Sequence, residues 1–465
     1  MTDYGILAPA WAATGAADLV DDNALLTAML ATEVALAEAQ AELGVIPAGA
    51  AVAIRAAAVP AHIDLEVVAA GVRDTANPVV AFVEQLTAAV ASVDASAAEY
   101  VHRGSTSQDI LDTALTLLCA ATLDRIASDL LACADSLAAH AERHRDTPMA
   151  GRTLTQHAVP VTFGLKAATW LHLVLDAVQR VRQARAALPV SLGGAAGTLA
   201  AYHQYALGTT DPVGTTLRLP ALVASRLGLA EPTLPWHGVR TPLVDVAASL
   251  MITTGALGKV AADVLVLSRT EIGEVSEELV PGRGTSSAMP QKHNPVFSTL
   301  VATAARQLPP IALVLFGSMG VEDERSSGGW HAEWLPLREC LRIGAGAAAN
   351  AACLAKTLRV SPEAMAANLR LTRGAIVSER VNAVLAPLLG KTNAKRLLAE
   401  VTAAAERDGA DVADLLGPAL EEALAGTGVS GPDVPGLFDP SRYTGMSGPL
   451  VDRALQRFES VLKET

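Results

Sequence analysis

Residues 243–280 read LVDVAASLMITTGALGKVAADVLVLSRTEIGEVSEELV, a proline-free and largely apolar run. If it were helical throughout, this run would span about 57 Å, more than the diameter of a small domain. Residues 112–145 and 161–188 are also free of proline. Helices this long and this apolar bury their faces against one another. The sequence therefore predicts an all-α fold with a long central helical bundle.

Shorter helices are predicted on both sides of this bundle. On the N-terminal side, one apolar helical pattern ends before Gly44 and a second covers residues 79–93 after Pro78, because glycine and proline end helices. On the C-terminal side, Ser361 has the position of a helix N-cap. We find no strand alternation. The sequence predicts three domains, over residues 1–111, 112–355 and 356–465.

The composition excludes several classes of partner. Hydrophobic residues make up 51% of the chain and aromatic residues only 3%, a balance that suits close helix packing better than a β-sandwich. The net charge of −13 argues against nucleic acid, and an anionic substrate needs its own local cations. The N-terminus lacks a basic signal region, and the longest uncharged run contains Pro189. We expect a cytoplasmic protein with no membrane partner.

The cysteines and histidines do not predict a metal site. Cys119, Cys133, Cys340 and Cys353 lie far apart in apolar helical stretches and form no CxxC pair. Buried reduced thiols are the expected state, in keeping with a cytoplasmic protein. The pair His140 and His144 has i,i+4 spacing without the glutamate and third ligand of a zinc site. We interpret that pair as part of a solvated polar face and predict no metal.

Residues 284–295 read GTSSAMPQKHNP. This string resembles the signature of the fumarase/aspartase superfamily, G-S-S-x-M-P-x-K-x-N-P, and Thr285 stands where the superfamily usually has glycine. The resemblance implies that Ser286, the first serine of the pair, removes a proton from carbon. A serine hydroxyl is a poor base unless backbone N–H groups and a nearby cation stabilise its anion.

The resemblance also assigns the rest of this string. Lys292 is predicted to be catalytic, and Ser287, Met289 and Asn294 are predicted to bind substrate. The cation of Lys292 and the amide of Asn294 can stabilise a substrate carboxylate as it gains negative charge. No cofactor is implied.

Residues 102–109 read HRGSTSQD. Serine and threonine before a helix are most often N-caps, and a helix N-terminus lined with hydroxyl groups also binds carboxylates. Both interpretations stay open for these residues alone. The segment resembles a second conserved region of the superfamily, in which the Thr-Ser pair holds a substrate carboxylate. It implies substrate-binding roles for His102, Ser105, Thr106 and Ser107.

Residues 151–160 read GRTLTQHAVP. In fumarase and adenylosuccinate lyase the position of Leu154 is histidine, which helps the leaving group depart. An amine or hydroxide leaves poorly without protonation, whereas a carboxylate or nitrite leaves as a stable anion. Leu154 therefore weighs against an ammonia, amine or water lyase, although His157 lies close by in sequence. Arg152 and Gln156 are predicted to bind substrate.

Further segments narrow the resemblance. Residues 324–334 read ERSSGGWHAEW, residues 235–237 read PWH and residues 193–200 read GGAAGTLA. With the absent histidine, these segments are similar to bacterial 3-carboxy-cis,cis-muconate cycloisomerases, from about residue 25 to residue 443. The resemblance implies substrate contacts from Asn77, His237, Arg240 and Arg325, and a bidentate guanidinium suits a dicarboxylate. The usual Arg-Asp pair of that branch is Arg240-Thr241 here.

Three functions follow from these observations. The first is a cycloisomerase-like lyase that acts next to a carboxylate on a muconate-type tricarboxylate. The second forms fumarate from a substituted succinate, as a nitrosuccinate lyase or, less in keeping with Leu154, an adenylosuccinate-type lyase. The third is a non-catalytic relative kept for its fold, against which the intact string from Ser286 to Asn294 argues. The resemblance implies a small polycarboxylate substrate and a homotetramer whose active sites are each assembled from three subunits.

Overall fold

The computed structural model describes residues 4–280, 282–285, 289 and 291–463. Most of these residues are helical, and the predicted all-α class is confirmed. The α-helices are α1 (Asp22–Glu42), α2 (Ala48–Ala57), α3 (Leu65–Thr75), α4 (Val79–Val93), α5 (Ser107–Arg143), α6 (Phe163–Ala186), α7 (Ala200–Ala206), α8 (Pro212–Leu227), α9 (Thr241–Leu267), α10 (Val296–Gly317), α11 (Gly329–Thr357), α12 (Pro362–Leu369), α13 (Ser378–Leu389), α14 (Lys391–Asp408), α15 (Val412–Leu424), α16 (Val434–Leu437) and α17 (Ser447–Lys463). Antiparallel pairs are formed by β1 (Pro148–Thr153) with β2 (Gln156–Thr162) and by β3 (Val275–Glu277) with β4 (Leu358–Val360).

Side-chain caps fix the starts of the shorter helices. Asp21 Oδ1 accepts a hydrogen bond of 2.8 Å from the Ala24 N–H at the start of α1. Ser361 Oγ accepts one of 3.2 Å from the Ala364 N–H, which confirms the predicted cap of α12. A side-chain oxygen at this position satisfies an N–H group that has no partner inside the helix.

The proline-free runs form the long helices, with one correction. α5 has 37 residues and therefore spans about 55 Å. The helix predicted over residues 243–280 is wrong in its C-terminal part, because α9 ends at Leu267. Gly273, with a φ of 60°, turns the chain and donates its N–H to the Arg269 carbonyl at 2.8 Å, and β3 follows. An apolar pattern alone does not separate the end of a helix from a short buried strand.

The hairpin of β1 and β2 corrects the expectation that strands are absent. Its register pairs Arg152 with His157 and Thr153 with Gln156. The two turn residues, Leu154 and Thr155, have φ values of 48° and 70°, the left-handed conformation of a tight hairpin turn. Asn-Gly or Asp-Gly pairs usually build such turns, so Leu-Thr gives no hairpin signal in the sequence.

The chain divides into two compact units. Unit 1 runs to Leu130 and includes Asp176–Gly258 and Leu300–Asn350, and unit 2 contains Leu131–Leu175, Lys259–Thr299 and the chain from Ala351 onward. The predicted division into three domains is a different partition and stays a prediction.

Each unit has its own apolar core. In unit 1, Leu36 of α1 and Leu219 of α8 pack with Val190 and Tyr202, which fixes the glycine-rich segment 193–197 between two buried anchors. In unit 2, the core is formed by α13, α14 and α15, with the buried side chains Val381, Leu385, Leu398, Val401 and Leu416.

The prediction that His140 and His144 belong to a solvated face is wrong. His144 is only 9% exposed, and its ring meets the edge of Phe163 with 5.4 Å between the centroids. His140 Nε2 donates to the Ala355 carbonyl at 3.1 Å. Burial lowers the pKa of both imidazoles, so the pair is neutral near pH 7. The error arose because an isolated polar pair on a helix carries no signal of what packs against it.

The cysteines follow the prediction with one exception. Cys119, Cys133 and Cys340 are buried and free, and burial raises the pKa of each of these thiols to about 12. Cys353 is also free but exposed, which corrects the expectation that all four are buried.

Some apolar helix surface stays uncovered in the single chain. By length and composition alone, α1, α9 and α10 could each cross a membrane. In α10 only 33% of the apolar window is buried, and the Leu313 residue is 63% exposed. Apolar helix surface that stays exposed in a single chain can mark a contact with another molecule.

Candidate active site

The turn before α5 holds four of the predicted substrate-binding residues. The Thr106 N–H donates to Asp109 Oδ2 at 3.0 Å, and the Asp109 N–H donates to the Thr106 carbonyl at 3.0 Å. Ser105 Oγ lies 2.7 Å from the Tyr202 hydroxyl oxygen. Ser107 is the first residue of α5. These contacts fix the hydroxyl groups at a helix N-terminus, where the backbone favours bound anions.

Asp109 connects this turn to the rest of unit 1. It is fully buried, and Oδ1 accepts hydrogen bonds from the Gly193 N–H at 2.7 Å and from His237 Nε2 at 2.8 Å. Oδ2 accepts from the Gly194 N–H and the Tyr202 hydroxyl, both at 3.0 Å. Burial, followed by the charge of Asp109, raises the pKa of Tyr202 well above its ordinary value. The Tyr202 hydroxyl therefore stays protonated and donates to Asp109.

Tyr202→Phe tests this network. The substitution removes one hydrogen bond to a buried carboxylate and should lower the free energy of unfolding by about 1.5–3 kcal/mol. Tyr205→Phe is the matched control, because the Tyr205 residue is 44% exposed and its ring is retained. Equal denaturation midpoints for the two variants would show that the Tyr202 hydroxyl does not stabilise the turn.

Arg325 is brought to the same turn. Its Nη2 donates to Thr106 Oγ1 at 3.0 Å and to the Ala195 carbonyl at 3.3 Å, and its Nε donates to Gln108 Oε1 at 2.9 Å. The guanidinium carbon lies 5.9 Å from the centre of the Trp330 ring. The structure thus places a cation beside a hydroxyl at a helix N-terminus, a combination suited to a carboxylate.

Arg240 has protein partners on every nitrogen of its guanidinium. Asp112 and Glu333 accept from it at distances between 2.7 and 3.2 Å, and the His237 carbonyl accepts at 3.3 Å. Arg240 is 3% exposed, and both carboxylates are buried. Its five N–H groups are therefore engaged within the protein. Arg240 thus links Asp112, Glu333 and the backbone of His237. The predicted substrate contact of Arg240 stays a prediction.

Two further predicted residues in unit 1 have local partners. Asn77 Oδ1 accepts from the N–H of Val79, the first residue of α4, at 2.9 Å. His237 is 5% exposed, and its Nδ1 is buried without a hydrogen-bond partner in the part of the chain that is described. Nε2 lies 2.8 Å from Asp109 Oδ1, and the predicted substrate contact of His237 stays a prediction.

In unit 2 the hairpin carries a second group of predicted residues. Arg152 donates to both oxygens of the buried Glu274, at 2.7 and 2.9 Å, and Asn368 Nδ2 donates to the same carboxylate at 2.8 Å. Burial, followed by the charge of Arg152, lowers the pKa of His157. His157 is therefore a neutral imidazole near pH 7, which makes it a poor proton donor.

The tip of the hairpin is apolar and exposed. Leu154 is 95% exposed in the left-handed conformation given above, which L-residues with bulky side chains rarely adopt. Gln156 is also exposed and makes only a 3.4 Å contact with Thr155 Oγ1. The structure thus presents a leucine where fumarase-type sequences have a histidine.

The string with the serine pair lies in unit 2 between β3 and α10. The Asn294 N–H donates to the Gly284 carbonyl at 2.9 Å, and a Cβ at Gly284 would lie 2.8 Å from the Asn294 carbonyl oxygen. Gly284, with a φ of 73°, is thus required where the two arms of the loop meet. Lys292 and Asn294 are exposed, and the Lys292 N–H donates to the Met289 carbonyl at 3.0 Å. Ser286 and Ser287 lie outside the described residues.

The predicted site residues therefore fall into two sets. Unit 1 carries Asn77, His102, Ser105, Thr106, Ser107, His237, Arg240 and Arg325. Unit 2 carries Arg152, Gln156, Met289, Lys292 and Asn294. Among the described residues, no group of three or more His, Cys, Asp or Glu side chains is arranged to hold a metal ion.

Comparison with known proteins identifies the family. A lyase family model matches residues 12–309. The chain belongs to the fumarase/aspartase superfamily. It is 53% identical to a nitrosuccinate lyase of Streptomyces davaonensis, over 98% of this chain and 95% of that protein. It is 41% identical to the 3-carboxy-cis,cis-muconate cycloisomerase of Pseudomonas aeruginosa, over 93% of this chain and 92% of that protein.

A solved structure agrees with this family. The 3-carboxy-cis,cis-muconate lactonizing enzyme of Pseudomonas putida superposes with a TM-score of 0.90 at 35% identity, over 98% of this chain and all of that chain. The predicted superfamily is therefore confirmed. This member is a lyase or cycloisomerase, and superfamily members act on small carboxylate substrates.

The sequence motifs did not predict the buried residues that contact and position the predicted site residues. Asp109, Asp112, Tyr202, Glu274 and Glu333 contact predicted site residues, and none of them was predicted. One signal was available, because Thr106 and Asp109 have the spacing of a capping box. The other contacts join residues far apart in the chain, and a single sequence gives no sign of such pairs.

Proposed function

We propose that this protein is a nitrosuccinate lyase, which eliminates nitrite from nitrosuccinate and forms fumarate. The observation that carries the proposal is the 53% identity to a nitrosuccinate lyase along almost the whole chain, against 41% to a cycloisomerase. The sequence left both reactions open, with the cycloisomerase first. The higher sequence identity to the nitrosuccinate lyase favours nitrite elimination over the cycloisomerase reaction.

The leaving group fits the residues of the hairpin. Nitrite departs as a stable anion and needs no general acid, whereas ammonia and water leave well only when protonated. Leu154 has no proton to give. His157, the nearest histidine in sequence, has a pKa below its ordinary value, mainly because of burial, so near pH 7 it is a neutral imidazole and a poor proton donor.

The reaction is a β-elimination. We propose that Ser286, as its alkoxide, takes one proton from the CH₂ carbon, which lies next to one carboxylate. The electron pair of that C–H bond forms the double bond, and the neighbouring C–N bond breaks to release nitrite. Lys292 and Asn294 stabilise the carboxylate beside the deprotonated carbon. Thr106, Ser107 and Arg325 hold the other carboxylate, in the arrangement described above for an anion.

We further propose that the protein is a homotetramer with active sites shared between subunits, as the superfamily resemblance implies. The predicted residues occupy two separate units of the chain, and the exposed apolar surface of α10 supports a large subunit contact. The molar mass in solution, measured by light scattering, tests the assembly. Mixing an inactive Ser286→Ala protein with an inactive Arg325→Ala protein tests the sharing, because hybrid tetramers would regain intact sites.

A panel of succinates tests the leaving-group argument. Nitrosuccinate should be converted to fumarate with a kcat/KM at least about 100-fold above that for malate or aspartate, because the leaving groups of malate and aspartate need protonation that neither Leu154 nor a neutral His157 supplies. Nitrite and fumarate are measured together. Comparable rates for malate or aspartate would contradict the proposal.

A second candidate is the lactonizing reaction. The TM-score of 0.90 to a 3-carboxy-cis,cis-muconate lactonizing enzyme favours it, and the lactone-opening direction is also a β-elimination, with a carboxylate as the leaving group. Incubation with 3-carboxy-cis,cis-muconate separates the two reactions. Conversion of the muconate without release of nitrite from nitrosuccinate would replace the first proposal by the second.

A further inference from the structure

The buried carboxylate of Glu33, in α1, holds His102 through two contacts. Glu33 Oε1 lies 2.6 Å from His102 Nδ1, and Glu33 Oε2 accepts a 3.2 Å hydrogen bond from the His102 backbone N–H. Glu33 is 1% exposed. His102 has a φ of 57°, a conformation that a residue with a Cβ keeps only when its surroundings enforce it. Glu33 therefore fixes both the ring and the backbone at the start of the carboxylate-binding turn.

The same contact leaves the second ring nitrogen of His102 for a ligand. Its Nε2 makes no hydrogen bond within the described part of the chain, and the side chain is 18% exposed. A carboxylate at Nδ1 keeps one proton on that nitrogen. A second proton then gives an imidazolium whose Nε2–H can bind an anion.

The charges that face His102 favour this second proton. Burial by itself lowers the pKa of His102, but Glu33 from α1 and Asp109 from α5 outweigh burial and raise the pKa above its ordinary value. The neighbouring cation, Arg103, lies over the rings of Tyr100 and Tyr205, at 4.7 and 4.2 Å from their centres. The imidazolium thus has two anionic neighbours, one of them in direct contact.

The polar cluster of unit 1 needs such a cation in order to bind a dianion. Besides Arg103, which lies over the tyrosine rings, the guanidinium groups described above in this cluster are those of Arg240 and Arg325, and all N–H groups of Arg240 are engaged within the protein. The acidic side chains of the cluster are Glu33, Asp109, Asp112 and Glu333. A buried set with more carboxylates than guanidinium groups repels a further anion. One proton on His102 reduces that repulsion at the ligand itself.

We propose that Glu33 is a positioning residue that keeps His102 as an imidazolium, and that the Nε2–H of this imidazolium binds a substrate carboxylate beside Thr106. This inference rests on the proposed function in one respect only, the identity of the substrate. Any small dicarboxylate ligand of this turn would make the same contact.

The sign of the pH dependence follows from the charge. A dianion binds most tightly while His102 is protonated, and its affinity falls as the pH rises through the raised pKa. Glu33→Gln removes the opposite charge and should lower that pKa by at least about one unit. At a pH above both values the affinity of the variant should be about tenfold lower than that of the wild type, and the difference should disappear as the pH is lowered below both.

Fumarate is the probe, because both of its carboxylates stay ionised and its binding needs no turnover. Its dissociation constant is measured by calorimetry from about pH 5.5 to about pH 8.5 for the wild type, Glu33→Gln and Glu42→Gln. Glu42 lies on the same helix and pairs with Arg226 at the surface, so Glu42→Gln should match the wild type. NMR titration of Cε1-labelled histidines, with His102→Gln to assign the signal, reports the pKa directly.

A double variant separates positioning from folding. In a His102→Gln background, Glu33→Gln should cause no further loss of fumarate affinity, whereas a purely structural role would lower it again. An unchanged His102 pKa in Glu33→Gln, or an affinity lowered equally at every pH, would overturn the inference. Absence of nitrite release by the wild type would overturn the proposed function alone, because neither fumarate binding nor the NMR signal depends on that activity.

Discussion

Replacing Ser286 by alanine should lower kcat for nitrite release by roughly 10²- to 10⁴-fold, the range over which a positioned base accelerates proton transfer. The substitution removes one oxygen atom. KM should change little, because the groups proposed to bind the carboxylates, Thr106, Arg325 and Lys292, are unchanged. Steady-state kinetics with nitrosuccinate, at a single pH, measures both constants.

Ser276→Ala is the matched control for this experiment. Ser276 is an exposed residue of β3, shortly before the loop that contains Ser286. The Ser276→Ala substitution also removes one serine hydroxyl group. Its kcat should equal that of the wild type. A near-normal kcat for Ser286→Ala would show that another group removes the proton.

Replacing Arg240 by glutamine should lower the free energy of unfolding by about 3–5 kcal/mol, because it leaves two buried carboxylates without their cation. Asp112 and Glu333 are both fully or nearly fully buried. Burial already raises the pKa of Glu333 above its ordinary value in the presence of Arg240, so removal of the guanidinium favours protonation of this carboxyl group further. Chemical denaturation followed by tryptophan fluorescence measures the change, since Trp236 lies 4.9 Å from the Arg240 guanidinium.

An exposed ion pair gives the comparison. Arg396 pairs with Glu400 one turn along α14, and their side chains are 66% and 60% exposed. Arg396→Gln should therefore cost about 0.5 kcal/mol or less. If the two variants were equally stable, the cluster around Arg240 would contribute nothing specific to the fold.

The sequence predicted the parts of the fold that have local signals. Ser361 caps α12 as predicted, and Pro78 precedes α4 at the predicted residue. The end of α9 was missed because the apolar pattern continues past Leu267 into β3. The hairpin was missed because Leu154 and Thr155 adopt left-handed conformations that their residue types disfavour. Tertiary contacts impose both features, and a single sequence does not record such contacts.

In the candidate site, too, the residues with a local sequence motif were predicted and those defined by tertiary contacts were not. Thr106 and Arg325 were predicted by motif alone, and the structure brings their side chains into contact. The roles of Asp109, Glu33 and Glu274 were not predicted, because each acts through a partner distant in the chain. A single carboxylate in an apolar helix such as α1 does not by itself predict a functional residue. The structure shows that Glu33 is buried where it contacts the ring and the backbone of His102.

Deuterium at the CH₂ carbon of nitrosuccinate tests the central claim most directly. With both hydrogens of that carbon replaced by deuterium, the enzyme should release nitrite and fumarate in equal amounts, and the fumarate should retain one deuterium and lose the other. The reaction should also slow if proton removal limits turnover. Nitrite release with both deuterium atoms retained in the product would contradict removal of a hydrogen from the carbon beside the carboxylate.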